Sequence, residues 1–397
     1  MDPNPSAKYD RLLEDLFRAY FDARKNKRNT INALRFEKNF EHNLFDLFDD
    51  IVSRRYKPGK SICFVVDYPV KREIFAADFR DRVIHHFIYN YISPIFEKMF
   101  IGDTYSCRKG KGVHCGIRRI DHFIRSCSDN YASDCYILKL DIRGYFMSIP
   151  RDALFRKIEK TLFERKGEID FDLPTVLYLL NETIFNDPTR NCIVKGEPSG
   201  WKGLPPGKSL FTARPNCGLP IGNLTSQLFG NFYLNDFDHY VRRDLKMGGY
   251  GRYVDDMIFV DKDENRLRSA IPKIRKYLSS NLSLTLHPDK TYLQHFAKGV
   301  AFLGAFIKPR RIYIANRVKG KLHGAIEKGN RLIAKGWAEE EEARYFISSV
   351  NSYLGTMKHW KTYGLRAEAI GKRLDGRWID YAVPVSDWSK IAPKRRF

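Results

Sequence analysis

Apolar residues recur at three- and four-residue spacing over residues 7–25 and 32–55. Leu12, Leu16 and Tyr20 mark the first stretch; Leu44, Phe45, Leu47, Phe48 and Ile51 mark the second. That period predicts amphipathic helices, each packed through one stripe. Pro58-Gly59 ends the pattern, and Ile62 to Val66 is a β-prone run. Residues 81–100 return to a helical period that Pro94 is expected to interrupt. Residues 152–180 predict helices on either side of a break at 170–174. From 186 to 217, glycine and proline punctuate NDPTRNCIVKGEPSGWKGLPPGKSLFTARPNC, so a long loop lying near a substrate is expected. Further on, Val318, Leu322, Ile326 and Ile333 share one face of a helix at 317–335, with Arg317, Lys321, Lys328, Arg331 and Lys335 around the rest. Glu339 to Glu342 suit the start of another helix, where the macrodipole favours acids; Phe346, Ile347, Val350 and Leu354 would be its inner stripe.

Two apolar runs contain acids where acids are costly. Residues 250–260 read YGRYVDDMIFV, two β-prone arms around Asp255 and Asp256, with Gly248, Gly249 and Gly251 on the approach. Adjacent buried carboxylates repel one another and lose hydration, and a divalent cation is the economical compensation. A surface turn is the plainer alternative. Residues 136–146 read YILKLDIRGYF, a strand ending in Asp141 and followed by a glycine turn and two aromatics. Alone, Asp141 also suits a helix cap. Two strands delivering Asp141, Asp255 and Asp256 to one place would hold two ions about 4 Å apart, the arrangement used for in-line phosphoryl transfer.

These two segments resemble motifs A and C of reverse transcriptases, and other blocks follow in the family's order. KREIFAADFRDRVIHH (71–86) is similar to the fingers segment and YSCRKGKGVH (105–114) to the next block. GLPIGNLTSQ (218–227) is similar to motif B, LTLHPDKT (284–291) to motif D and FLGAF (302–306) to motif E. The resemblance covers roughly residues 60–310. It implies an α+β right-hand polymerase: an N-terminal helical extension and fingers at 1–135, and a palm with an antiparallel sheet at 136–306. The palm would carry a helical and loop insertion at about 151–216, and a basic helical thumb and tail would occupy 307–397. It implies an RNA-directed DNA polymerase acting on deoxynucleoside triphosphates with two Mg²⁺ ions, Mn²⁺ being the alternative.

The same resemblance assigns roles. Asp141, Asp255 and Asp256 would hold the metals, with the Ile142 carbonyl as an extra ligand. Arg72 would reach the incoming triphosphate, assisted by Lys71. Phe146 would lie beneath the sugar and exclude a 2′-hydroxyl, and Lys290 would donate a proton to pyrophosphate. Core packing for Phe146 and a surface position for Lys290 are the alternatives. In motif B, Ile221 stands where intron-type enzymes carry glutamine, then Gly222, and the block ends in Ser226-Gln227. That form resembles the reverse transcriptases of diversity-generating retroelements. These copy a template-repeat RNA with errors at adenines, together with a small basic helical oligomer, the accessory variability protein. An aliphatic Ile221 removes directional hydrogen bonding near the nascent pair, and apolar shape discriminates less than polar pairing; simple packing of Ile221 is the alternative. Retron, intron-type and phage-defence polymerases, or a catalytically inactive RNA-binding scaffold, remain the rival readings.

Composition agrees with a folded, polyanion-binding protein. The 397 residues are 43% hydrophobic and 14% aromatic, with a formal charge of +22. Such a balance favours nucleic acid over membrane as partner. Residues 308–397 hold 20 Lys/Arg against 9 Asp/Glu, which suits a duplex-gripping thumb. Seven cysteines form no CxxC pair, and no signal-peptide pattern opens the chain, so reduced thiols and a cytoplasmic location are expected. No second acid cluster follows motif E, which predicts no nuclease domain here, and SKIAPKRRF is expected to be a flexible tail that touches RNA.

Overall fold

The computed structural model describes residues 5–25, 30–67, 70–336 and 338–394. Among them are twelve strands. In chain order they are β1 (Ser61–Val66), β2 (Arg72–Ala76), β3 (Tyr136–Leu140), β4 (Cys192–Val194), β5 (Gly249–Tyr253), β6 (Asp256–Asp261) and β7 (Tyr292–His295). They continue with β8 (Val300–Phe302), β9 (Ala305–Lys308), β10 (Arg311–Ile314), β11 (Ala382–Pro384) and β12 (Ile391–Pro393). They form sheets in the orders β2-β1-β4, β5-β6-β3-β7, β10-β9-β8 and β11-β12. The chain divides into two compact units, residues 1–110, 139–257 and 268–291 in one, and 111–138, 258–267 and 292–397 in the other.

In the first unit, the N-terminal stripes become helices Pro5–Arg24, Ile31–Glu37 and Phe40–Val52. Leu16, Tyr20, Leu44, Leu47 and Ile51 are buried, and Tyr20 stacks on Phe40 with ring centroids 5.1 Å apart. Phe45, expected on that stripe, is 49% exposed. The expected break at Pro94 does not occur: one helix runs from Phe79 to Met99. Its neighbours Ile88, Ile92, Ile95 and Phe96 are all buried, and that packing outweighs the hydrogen bond a helical proline forfeits. The break near 170 is present, between helices Arg151–Glu164 and Leu173–Ile184, the second capped by the Asp172 carboxylate. The 186–217 stretch is not wholly irregular, because its β-prone Cys-Ile-Val adds β4 parallel to β1.

The second unit contains helices Val113–Cys127, Asn316–Ile333 and Glu340–Met357. Leu322, Ile326, Ile333, Phe346, Ile347, Val350 and Leu354 form its buried seam as their spacing predicts. Glu339 and Glu342 make a reciprocal capping box. The expected flexible tail is instead held as far as Lys394. Ile391 is 1% exposed, β12 pairs with β11, and Asn351 both donates to the Ile391 carbonyl and accepts from its N–H. Residues 395–397 lie outside the described residues.

Candidate active site

β5 and β6 form the expected hairpin, joined by the two-residue loop Val254-Asp255, and β6 lies beside β3. Lys139, near the end of β3, pairs with Asp256 at the start of β6 (Nζ–Oδ1 3.3 Å). Asp141 follows β3 directly. Its carbonyl accepts from the His287 N–H (2.8 Å), and the Arg143 N–H donates to the Thr285 carbonyl (2.8 Å). Ile142, 1% exposed, bridges Leu286 in the same ladder. This pairing brings motif D alongside motif A, so the Lys290 ammonium contacts the Asp141 carboxylate.

Asp255 is the electrostatic centre. Burial, then the negative charges of Asp141 and Asp256, push its carboxyl up to about 7, while the Arg72 cation opposes them. A carboxyl group raised by like-charged neighbours is held at an energetic cost that a cation would remove. Three carboxylates offer a hard-oxygen donor set suited to Mg²⁺ or Mn²⁺. Among the described residues no three His, Cys, Asp or Glu side chains already converge as a ligand set. Asp141 and Asp256 are paired with Lys290 and Lys139. The donor chemistry suits such an ion, and to hold one Asp141 and Asp256 would have to leave these lysines and converge with Asp255.

The remaining predicted residues lie in three places. Phe146 and Ile221 both pack against one small cluster of Cys63, Phe75, Met147 and Leu210. The Ile221 carbonyl accepts from the Phe75 N–H (2.8 Å), tying motif B to β2. Gly222 is required there: its φ is +126°, and a Cβ would lie 2.9 Å from both the Phe75 carbonyl oxygen and the Ile74 side chain. The Phe146 ring rests over Gly230, where a Cβ would lie 3.0 Å from the ring edge. Gln227, exposed, accepts from the Cys107 thiol (3.1 Å). Lys71 points elsewhere. Its ammonium donates to the carbonyls of Gly200 (2.9 Å) and Lys202 (2.8 Å), and so holds the 186–217 insertion.

Several residues here were not foreseen. Glu73, fully buried beside Arg72, accepts from Trp201 Nε1 (2.9 Å), Ser209 Oγ (2.8 Å) and the Leu210 N–H (2.7 Å). Arg252 and Asp238, both 0% exposed, form a buried ion pair behind the hairpin. An arginine inside the otherwise apolar run 250–260 was the available signal, since a buried guanidinium demands a partner. In the second unit a cavity of about 490 Å³ gathers Arg125, Arg310, Arg311 and Lys361 around Tyr131 and Trp360.

A right-hand polymerase palm with acids on a hairpin and an adjoining strand is the class this arrangement defines. Residues 71–307 match the family described as reverse transcriptase (RNA-dependent DNA polymerase). The match spans more than half of the chain, and the chain belongs to that family. It is 22% identical over 346 residues to protein YkfC of Escherichia coli K12, covering 78% of each chain. It is 32% identical over 215 residues to the COX1/OXI3 intron 2 protein of Saccharomyces cerevisiae, covering 45% of this chain and 24% of that one. Among solved structures it is similar to an apo telomerase of Candida tropicalis (TM-score 0.46, 12% identity, 64% of this chain and 55% of that one). It is likewise similar to a Candida albicans telomerase with a fragment of telomeric RNA (TM-score 0.46, 11% identity, 85% and 62%). The chain thus spans under two thirds of both telomerases. No helix among the described residues is long and apolar enough to cross a membrane.

Proposed function

We propose that this chain copies a template-repeat RNA into DNA with errors directed to template adenines, as the polymerase of a diversity-generating retroelement. The observation that carries the catalytic part is the placement of Asp255 and Asp256 at the turn of the β5–β6 hairpin beside β3, which Asp141 follows, the Asp255 carboxyl being pushed up by burial and by its two acidic neighbours. In this reading residues 1–135, 136–306 and 307–397 act as fingers, palm and thumb.

Asp141, Asp255 and Asp256 would hold two Mg²⁺ ions, or Mn²⁺, with the Ile142 carbonyl as a further ligand. When bound, the ions supply the positive charge that eases deprotonation of the primer 3′-hydroxyl and neutralises the triphosphate. Arg72 places a planar guanidinium against the triphosphate of the deoxynucleotide. Lys290 Nζ, released from Asp141, donates its proton to the departing pyrophosphate. Phe146 fills the space a ribose 2′-hydroxyl would need. Lys71 assists Arg72 indirectly, by holding the insertion next to β2. Template RNA and the RNA–cDNA hybrid are gripped through backbone charge and shape, by the basic helices at 316–357 and the cations of the 490 Å³ cavity. A basic helical accessory oligomer would supply specificity for one RNA.

The subtype rests on Ile221. Its aliphatic side chain packs against the same cluster as Phe146 and would offer a nascent base pair no amide at this position. Gly222 and Gln227 complete the motif B loop against β2 and Cys107. The test is sequencing of cDNA made from a defined RNA by the wild type and by Ile221→Gln. The reading expects an excess of errors at template adenine that the glutamine variant reduces; equal spectra at all four bases would remove the subtype and leave the polymerase. An intron-type enzyme is the second reading, favoured by the 32% identity to the yeast intron protein. Faithful copying by the wild type would support it.

A further inference from the structure

The loop that presents Asp255 is built on an unfavourable backbone. Val254 has φ +55°, the left-handed region, at a turn position where glycine or asparagine is usual and a β-branched residue is a marked outlier. Such a conformation persists only where its surroundings over-determine it. Both backbone polar groups of Val254 are held. Its N–H donates to Ser106 Oγ (3.1 Å), and its carbonyl accepts from Arg252 Nη1 (2.8 Å).

Each of these two supports is itself anchored. Arg252 donates through Nε to Asp238 Oδ1 (2.8 Å), through Nη2 to Asp238 Oδ2 (2.5 Å) and to the Asn231 carbonyl (3.3 Å). Tyr250 donates to the same Asp238 (2.7 Å). Ser106 donates from Oγ to Asn231 Oδ1 (2.8 Å), and its carbonyl accepts from Asn231 Nδ2 (2.6 Å). All four residues, Ser106, Asn231, Asp238 and Arg252, are at most 3% exposed. The bidentate pairing leaves the guanidinium neutralised by Asp238, so the support sits behind the acids without competing as their counter-ion.

We propose that Arg252 and Ser106, fixed by Asp238 and Asn231, are positioning residues that set the direction in which the loop presents Asp255 and Asp256. They act on the acids only through the backbone of Val254. The inference rests on the reading of Asp141, Asp255 and Asp256 as cation-holding catalytic groups. Fixed donors are what such a site requires, since ligand groups displaced by about 1 Å lose much of their effect on rate.

The test uses the full chain and two variants that reach Val254 from opposite sides. Ser106→Ala removes the acceptor for its N–H. Arg252→Met combined with Asp238→Leu removes the donor to its carbonyl without stranding a buried charge. Tyr250→Phe loses a hydrogen bond to Asp238 but leaves both Val254 contacts in place, and so controls for general loosening. Primer extension gives kcat and the KM for dNTP. Mn²⁺ binding, followed through the electron paramagnetic resonance signal of free Mn²⁺, gives a readout apart from turnover.

Ser106→Ala should lower kcat about tenfold and weaken Mn²⁺ binding several-fold, with the KM for dNTP within twofold of wild type. The folded double variant should show the larger loss in both, and Tyr250→Phe neither. If the double variant does not fold, Ser106→Ala decides. Unchanged kcat and Mn²⁺ affinity in folded Ser106→Ala overturns the proposal, as does an equal loss in Tyr250→Phe. An active wild type silenced by Asp255→Asn would show that the catalytic reading itself survives either result.

Discussion

Replacing Asp255 by asparagine should stabilise the metal-free protein at pH 8 and leave its stability nearly unchanged at pH 4. The folded-state carboxyl stands near 7, against 3.8 for the free group. A group whose folded pKa is raised binds its proton more tightly in the native state. Its stabilising contribution is therefore complete below about 4 and is lost as pH rises towards 7. About three units at ~1.4 kcal/mol each gives on the order of 4 kcal/mol between those limits. Asp255 remains partly exposed, so solvent screening reduces that figure, and about 2 kcal/mol is the working expectation. Thermal unfolding in EDTA at several pH values measures it, a gain of 2 kcal/mol corresponding to several degrees in Tm. Saturating Mg²⁺ should reverse the order by stabilising the wild type alone. An Asp255→Asn variant no more stable than wild type at pH 8, or equally more stable at pH 4 and pH 8, would refute the electrostatic account of the hairpin.

Other consequences follow from the packing. Glu73→Ala strands three donors of the 201–210 segment, at about 1–3 kcal/mol for each left unsatisfied; limited proteolysis should then cleave between 196 and 208 much faster than in wild type. Gly329→Ala would drive a methyl group into the Phe346 ring, which stacks on Trp378 at 4.1 Å. The expected cost is about 1–3 kcal/mol, read as a lower Tm. Phe146→Ala should raise incorporation of ribonucleotides relative to deoxynucleotides by about 10–100-fold in single-nucleotide extension, the range that apolar shape discrimination supplies.

The elements most legible in the chain were those whose signal is local. The hairpin around Asp255 and Asp256, the strand before Asp141 and the stripes of the 316–333 and 340–357 helices all stand where alternation or helical period places them. Pro94 misled because a local preference was overridden by the burial of Ile92, Ile95 and Phe96 around it. The insertion has the sequence of a loop because three β-prone residues, Cys192 to Val194, gain a strand only by finding β1, more than 120 positions earlier. Lys71 and Glu73 flank Arg72 in sequence, yet both turn towards that insertion, a partner that periodicity cannot name. Arg252 could be suspected as a buried charge, but its pairing with Asp238 and its bond to the Val254 carbonyl depend on how the hairpin docks against residues 231–238.

Extension of a DNA primer annealed to an RNA template, with Mg²⁺ and all four dNTPs, is the decisive measurement of whether these acids catalyse RNA-templated DNA synthesis. The wild type should lengthen the primer, and Asp141→Asn, Asp255→Asn and Asp256→Asn should each slow the reaction by about 100-fold or more while remaining folded. Extension by folded Asp255→Asn at a rate within tenfold of wild type, or no RNA-templated synthesis by the wild type, would contradict it.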